Sequence, residues 1–443
     1  MSTAQSRANS DPEKSLDVPL KPCPKCHTVL PVYTGYKTWC DQCGWNLEAP
    51  SPTERQSLFE KLYASFGRKM SARLFEEIVN REPLKIGLTP AKVLAFLIAG
   101  CVHGVTLAFL VLGFWLFLAF PSSRFLGVML GVACLTMTWF LLIPRFAQPT
   151  GTLLPKERFP ALYHIVNRVA EAVNSPPIDL IHYDMRFNAG FGQFGWKRRQ
   201  TLILGLPLAM SLSQEEFVAL LGHELAHGVS GDPNRNLFLG SAVRSLSSWY
   251  TIISPGRRWQ FRMGIVAPLM LVINLVSLPI AGLIWLTSYG LINLLWHDMQ
   301  RAEYLADFLG ALVAGTDGCL SLLDKIQLGE TFEVTLIFSY LDRKTESLFA
   351  NLRHRIGQVP EREIERLRRI EQLSEYRANS THPPTNLRVD FLKAHYIAHP
   401  KVALSSNEFE QFEREMEPLL TSVQKWLSNL DDITFRERFK VRW

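Results

Sequence analysis

No glycine-rich phosphate loop and no internal repeat occurs in this chain of 443 residues, which argues against a P-loop nucleotide enzyme and a solenoid. The first 20 residues are polar and lack an apolar run, so no cleavable signal peptide is expected. Positive charge is in small excess, +6. That is too little to point to nucleic acid, and its placement points instead to orientation at a membrane.

Charge is missing altogether from three stretches. Val93 to Phe120 holds 28 residues, Phe125 to Ile143 holds 19 and Gly264 to Trp296 holds 33, all without Asp, Glu, Lys or Arg. A bilayer crossing needs about 20 apolar residues, so each run is long enough. The competing reading, helices buried in a large soluble core, suits runs of this length poorly. Pro121 to Arg124 joins the first two runs and predicts a tight helical hairpin. Basic residues flank that hairpin on its outer ends: Arg68, Lys69, Arg73, Arg81, Lys85 and Lys92 before it, and Arg145, Lys156 and Arg158 after it. The positive-inside rule then puts both outer flanks in the cytoplasm. His103 is the exception inside the first run and reads as a packed histidine with a local partner.

What is present is led by His223-Glu224-Leu225-Ala226-His227. Histidines four apart share one face of a helix and can reach one zinc ion, and the glutamate between them is placed as a general base. Ser213-Gln214-Glu215-Glu216 reads as a capping box that starts this helix. The bland reading is a pair of satisfied core histidines with a surface glutamate. Downstream, Arg301 to Asp307 reads as helical and offers Glu303 as a third ligand. Asp307, one turn on, is placed to hold the tautomer of a ligand histidine. Alone, that segment would be an ordinary solvated helix face.

Together these residues resemble the membrane-embedded zinc metallopeptidases of the HtpX-like and CAAX prenyl endoprotease type. Three further segments carry the resemblance: Asp232, five residues after His227; Asn188-Ala189-Gly190-Phe191-Gly192; and His382-Pro383-Pro384 with Arg388. The resemblance covers roughly residues 90 to 395. It departs at Gly190, where the family usually has an aromatic. It implies a gluzincin-type fold, mainly α, with a small β-sheet over the cleft. It implies that Asn188, Ala189 and Gly190 form an edge strand that binds substrate, and that His382 and Arg388 line the active site, where one or the other donates to the oxyanion. The expected activity is hydrolysis of peptide bonds in membrane or misfolded proteins at the cytosolic face. Alternatives are a processing protease for prenylated or signal-like peptides, and a non-catalytic membrane scaffold.

His227 and Glu303 must then lie on one side of the membrane, so the chain between them crosses an even number of times. Thirty-three residues are short for two spans. A pair of helices broken near Pro279 is the expectation, because proline disrupts the helix ladder. Two long helices rising from the membrane are the other solution.

Four of the seven cysteines fall as Cys23-x-x-Cys26 and Cys40-x-x-Cys43. This resembles a zinc ribbon, with four thiolates closing a structural tetrahedral site. Two disulfides are the alternative, which a reducing compartment disfavours. The ribbon is expected to hold a docking surface for a substrate or partner. No basic run interleaves the cysteines, which argues against nucleic acid. Two zinc ions per chain follow, one catalytic and one structural. The remaining cysteines, Cys101, Cys134 and Cys319, read as small apolar residues.

The expected organisation is a polar tail (1–20), the ribbon (21–48), juxtamembrane helices (53–90) and a transmembrane hairpin (91–144). A metallopeptidase domain (150–400) with membrane helices at 264–296, and a helical extension (401–443), complete it. Phe59, Leu62, Phe66 and Met70 form an apolar stripe in the juxtamembrane part, suited to a membrane surface or to packing on the protein.

Overall fold

A computed structural model of the chain describes residues 18–47, 71–79, 90–119, 124–142, 148–195, 197–229, 237–254, 267–341, 347–373 and 382–439. Asp232 and the stripe from Phe59 to Met70 lie outside them. In chain order the elements are β1 (Leu20–Pro22), β2 (Val29–Pro31), α1 (71–79), α2 (Pro90–Ala119), α3 (Arg124–Leu142), β3 (Thr152–Leu154) and α4 (Pro160–Ala172). Then come β4 (Leu180–Asp184), β5 (Ala189–Phe194), β6 (Arg199–Gly205), α5 (Leu206–Ala209), α6 (Gln214–Ala226), α7 (Leu237–Ile253) and α8 (Ala267–Ala314). The last are α9 (Thr316–Ile326), α10 (Gly329–Leu341), α11 (Leu348–Gly357), α12 (Glu361–Leu373), α13 (Thr385–Ala394), α14 (Ser406–Ser428) and α15 (Asp432–Phe439). The chain divides into two compact units, residues 1–56 with 358–375 and residues 57–357 with 376–443.

In the smaller unit β1 and β2 pair antiparallel, and each CxxC lies in a turn of the same design. The amide of His27 donates to the Cys23 carbonyl and that of Gly44 to the Cys40 carbonyl, both at 3.0 Å. Both His27 and Gly44 have positive φ, so each turn closes through a left-handed residue directly after its second cysteine.

In the larger unit, α2 and α3 pack as the expected hairpin. Two helical stretches among the described residues are long and apolar enough to cross a membrane, Pro90–Leu116 and Ile273–Ala314. Their outer faces carry exposed Leu97, Leu107, Phe114, Leu275, Leu283 and Leu286. A soluble core helix would bury such side chains, and a lipid-facing one would not. His103 has the expected local partners: its Nε2 lies 2.9 Å from the Phe238 carbonyl and 3.3 Å from Ser241 Oγ.

The break expected at Pro279 does not occur. α8 runs unbroken for 48 residues with Pro279 inside it. A proline costs about 3 kcal/mol in a water-exposed helix interior. Among apolar neighbours the helix has no better alternative, because any opened turn would leave more backbone groups unpaired. Residues 264–296 therefore do not supply a pair of membrane helices. α7 takes a place in the bundle instead: Leu239, Ala242 and Leu246 pack with Ala95, Ala99 and Val102 of α2 and with Leu291 and Leu295 of α8.

A four-stranded sheet, ordered β3-β4-β6-β5, lies beside α6, with β5 as an outer strand. Two supports fix the flanks of the site. α1 buries Leu74 and Ile78 against Trp296, Tyr304 and Phe391, so this part of the juxtamembrane segment packs on protein. α14 stacks Phe412 on Phe217 of α6 with ring centroids 4.8 Å apart, and Arg168 of α4 pairs with Glu408 at 2.7 Å.

Candidate active site

The helix α6 begins as its sequence dictates. Ser213 Oγ accepts from the Glu216 amide at 3.3 Å, and Glu216 Oε2 accepts from the Ser213 amide at 2.6 Å. Glu216 is buried and also bonded by Lys325 and Ser321 of α9, which anchors the start of α6. Three turns later the same helix delivers His223, Glu224 and His227, all buried.

α8 brings the partner carboxylates, and two glycines permit the approach. A Cβ on Gly222 would lie 2.4 Å from Val313 Cγ2 and 3.0 Å from Gly310 Cα. Only glycine lets α6 and α8 pass this closely. Glu303 then reaches both histidines: its Oε2 lies 3.6 Å from His223 Nε2 and its Oε1 lies 3.6 Å from His227 Nε2. One ligand atom from each of the three residues lies within 4.8 Å of the other two. Bonds of about 2.0–2.1 Å to a tetrahedral zinc put neighbouring ligands about 3.4 Å apart. The donor set and its spacing fit that ion.

Behind the ligands sits a chain of ion pairs. His223 Nδ1 lies 3.1 Å from Asp307 Oδ1. Asp307 is held in turn by Arg388 through two bonds, Nε to Oδ2 at 2.8 Å and Nη2 to Oδ1 at 2.6 Å. Burial opposes protonation of His223, yet the Asp307 carboxylate outweighs it and keeps the imidazole above its ordinary value. A proton on Nδ1 leaves Nε2 as the free ligand atom. His382 is half exposed, with Nδ1 2.6 Å from Glu303 Oε2.

A cavity of about 330 Å³ opens beside these groups, lined by His223, Glu224, Asp307, His382 and Arg388 among others. Asn188 and Phe187 reach it from the chain entering β5. Ala189 and Gly190 follow on β5, paired with Leu204 and Ile203 of β6. A Cβ on Gly190 would meet nothing within 4 Å, so open space replaces the aromatic usual there. Asn188, His223, Glu224, Asp307, His382 and Arg388 thus line one cavity, with the His227 and Glu303 ligand atoms next to that of His223, whereas Ala189 and Gly190 are not in its wall and Asp232 lies outside the described residues. The sequence reading missed the cavity's apolar wall, Leu322, Leu323 and Ile326 of α9 with Cys319. Nothing in their spacing marks them, since only the packing of α9 on α6 brings them there.

The His223, His227 and Glu303 donors can hold a metal, with Glu224 beside His223 in the cavity wall. Residues 156–396 match the model of peptidase family M48. That is more than half of the chain. The chain belongs to peptidase family M48. Members of this family are metallopeptidases, typically zinc-dependent. A protease HtpX homolog of Archaeoglobus fulgidus is 23% identical over 331 residues, covering 73% of this chain and 92% of that protein. No solved structure matches.

The four ribbon thiols form a second donor set. Cys23 and Cys43 Sγ are 3.7 Å apart, and Cys26 and Cys40 Sγ 3.5 Å. Thiolates around a tetrahedral zinc with bonds of about 2.3 Å lie about 3.8 Å apart, whereas a disulfide would need about 2.05 Å. The spacing fits a metal and excludes two disulfides in this state. Hydrogen bonds to Thr28 lower the Cys26 thiol to about 6, while burial raises that of Cys43 to about 12.

Proposed function

We propose that this M48 peptidase is a zinc endopeptidase of the cytosolic membrane face that cleaves unfolded or membrane-derived polypeptides. The observation that carries it is the meeting of His223, His227 and Glu303 beside a cavity whose wall holds His223 and Glu224. Those three residues would hold the catalytic zinc, and Cys23, Cys26, Cys40 and Cys43 a structural one. When bound, the catalytic zinc supplies a Lewis acid that acidifies water and polarises the scissile carbonyl. Glu224 takes the proton of the attacking water and passes it to the leaving amine. Asp307 accepts the Nδ1 proton of His223 and fixes the ring, while Arg388 holds Asp307. With two of its nitrogens bonded to Asp307, Arg388 acts as a positioning residue. His382, half exposed at the rim, is the better donor to the developing oxyanion.

The substrate enters extended. An outer strand such as β5 takes a peptide by backbone hydrogen bonds, which tolerates varied sequence. Ala219, Leu220, Leu322, Leu323 and Ile326 give the cavity an apolar side that receives an apolar side chain. Exposed apolar segments are what misfolded membrane proteins offer, which favours a quality-control role.

Flanking positive charge supports a site on the cytoplasmic side.

The test is cleavage of an unfolded model protein by detergent-purified wild type and Glu224→Gln, with zinc counted in both. Equal zinc and a loss of cleavage of about 10²–10⁴-fold or more in the variant is expected. Undiminished cleavage by Glu224→Gln would sink the mechanism.

A further inference from the structure

The ribbon was expected to dock a substrate or a partner. Its second knuckle is already occupied by a helix of the same chain. Trp39, the residue before Cys40, is 1% exposed. Two guanidiniums of α12, one near each end, lie over its ring: Arg362 at 4.6 Å and Arg369 at 4.9 Å from the centroid. These positions are seven apart and share one helix face. The backbone joins in. Trp39 Nε1 donates to the Arg362 carbonyl at 3.3 Å, and Arg362 Nη2 donates to the Trp39 carbonyl at 2.9 Å. Arg369 donates to the carbonyl of Asp41 inside the knuckle itself, and the Asp41 carboxylate lies 3.6 Å from Arg362.

α12 has little to keep it helical without this contact. It is 13 residues long, and Glu and Arg dominate it. Isolated helices of that length are marginal in water. Its internal pairs, Arg366 with Glu363 and Arg369 with Glu365, add only small increments. The ribbon is equally dependent, since so small a unit needs its metal to fold. Order in α12 is therefore linked to metal in the four thiols.

We propose that the ribbon is a metal-dependent clamp on α12, which keeps residues 361–373 ordered only while the four thiols hold their metal.

The experiment is hydrogen exchange on the full chain in detergent, with zinc counting on the same samples. Three variants are compared with wild type. Cys40→Ser/Cys43→Ser removes the ribbon metal. Trp39→Ala removes the clamped ring. Arg362→Ala/Arg369→Ala weakens the same contact from the helix side and leaves the ribbon untouched. All three should raise exchange across residues 361–373 by at least tenfold, and the arginine variant should do so at unchanged zinc. Unchanged exchange of α12 in the cysteine variant or in the arginine variant overturns the clamp.

Discussion

The two candidate metal sites are built in opposite ways. The four thiols come from 21 consecutive residues, Cys23 to Cys43, and two turns of the same design present them. Their sulfurs lie within 4.8 Å of one another, and four thiolates complete a tetrahedral shell. The histidine and glutamate ligands come from two helices, with 75 residues between His227 and Glu303. Each depends on residues that are not ligands: Gly222 for the approach of α8, Asp307 and Arg388 for the ring of His223. A closed site can be assembled locally because it only has to hold. A reactive site has to hold, leave one side open and keep a base at hand, and that requires several elements at once.

If the difference is real, perturbing the packing should damage one site and spare the other. Gly222→Ala forces Val313 and the backbone of Gly310 away and moves Glu303 off the histidines. A displacement of about 1 Å can cost about 100-fold in rate. Cleavage should fall by that order, the catalytic zinc should be lost first on dialysis against a mild chelator, and the ribbon zinc should stay. Simultaneous loss of both metals would show that the sites are not separate in the way described.

A smaller effect is expected one layer out. Asp307→Asn keeps the shape but removes the charge that supports His223. Weakening of zinc at the His223 site by about 10–100-fold is expected, measured by competition with a chelator of known affinity. No change would mean that Arg388 and Asp307 only support the fold.

The cavity wall gives the smallest and most selective change. Leu323→Trp should fill the apolar side of the 330 Å³ cavity. Peptides with a large apolar residue beside the scissile bond should lose about tenfold in kcat/KM relative to peptides with alanine there. A uniform loss across both peptide sets would place Leu323 outside the substrate's path.

Legibility in the sequence followed the same division. His223 to His227, the capping box at Ser213 and the cysteine spacing are local patterns, and each is present in the structure as read. Glu303 and Asp307 were readable only because the first motif demanded a third ligand and a supporting carboxylate. Gly222 and Gly310 carry no periodicity, so the helix contact they permit was invisible. Leu322 and Leu323 look like any apolar helix face until α9 packs on α6. α7 was overlooked because Arg244 and four serines interrupt its apolar character. At Pro279 a rule drawn from helices in water misled, because a chain among apolar neighbours keeps its backbone paired even around a proline.

Zinc counting in site-selective variants tests the central claim most directly. The wild type should hold about two zinc ions per chain, and His227→Ala and Cys40→Ser/Cys43→Ser about one each. Cleavage of an unfolded protein should vanish in His227→Ala and persist in the cysteine variant. A His227→Ala protein that keeps about two zinc ions and still cleaves would contradict the account.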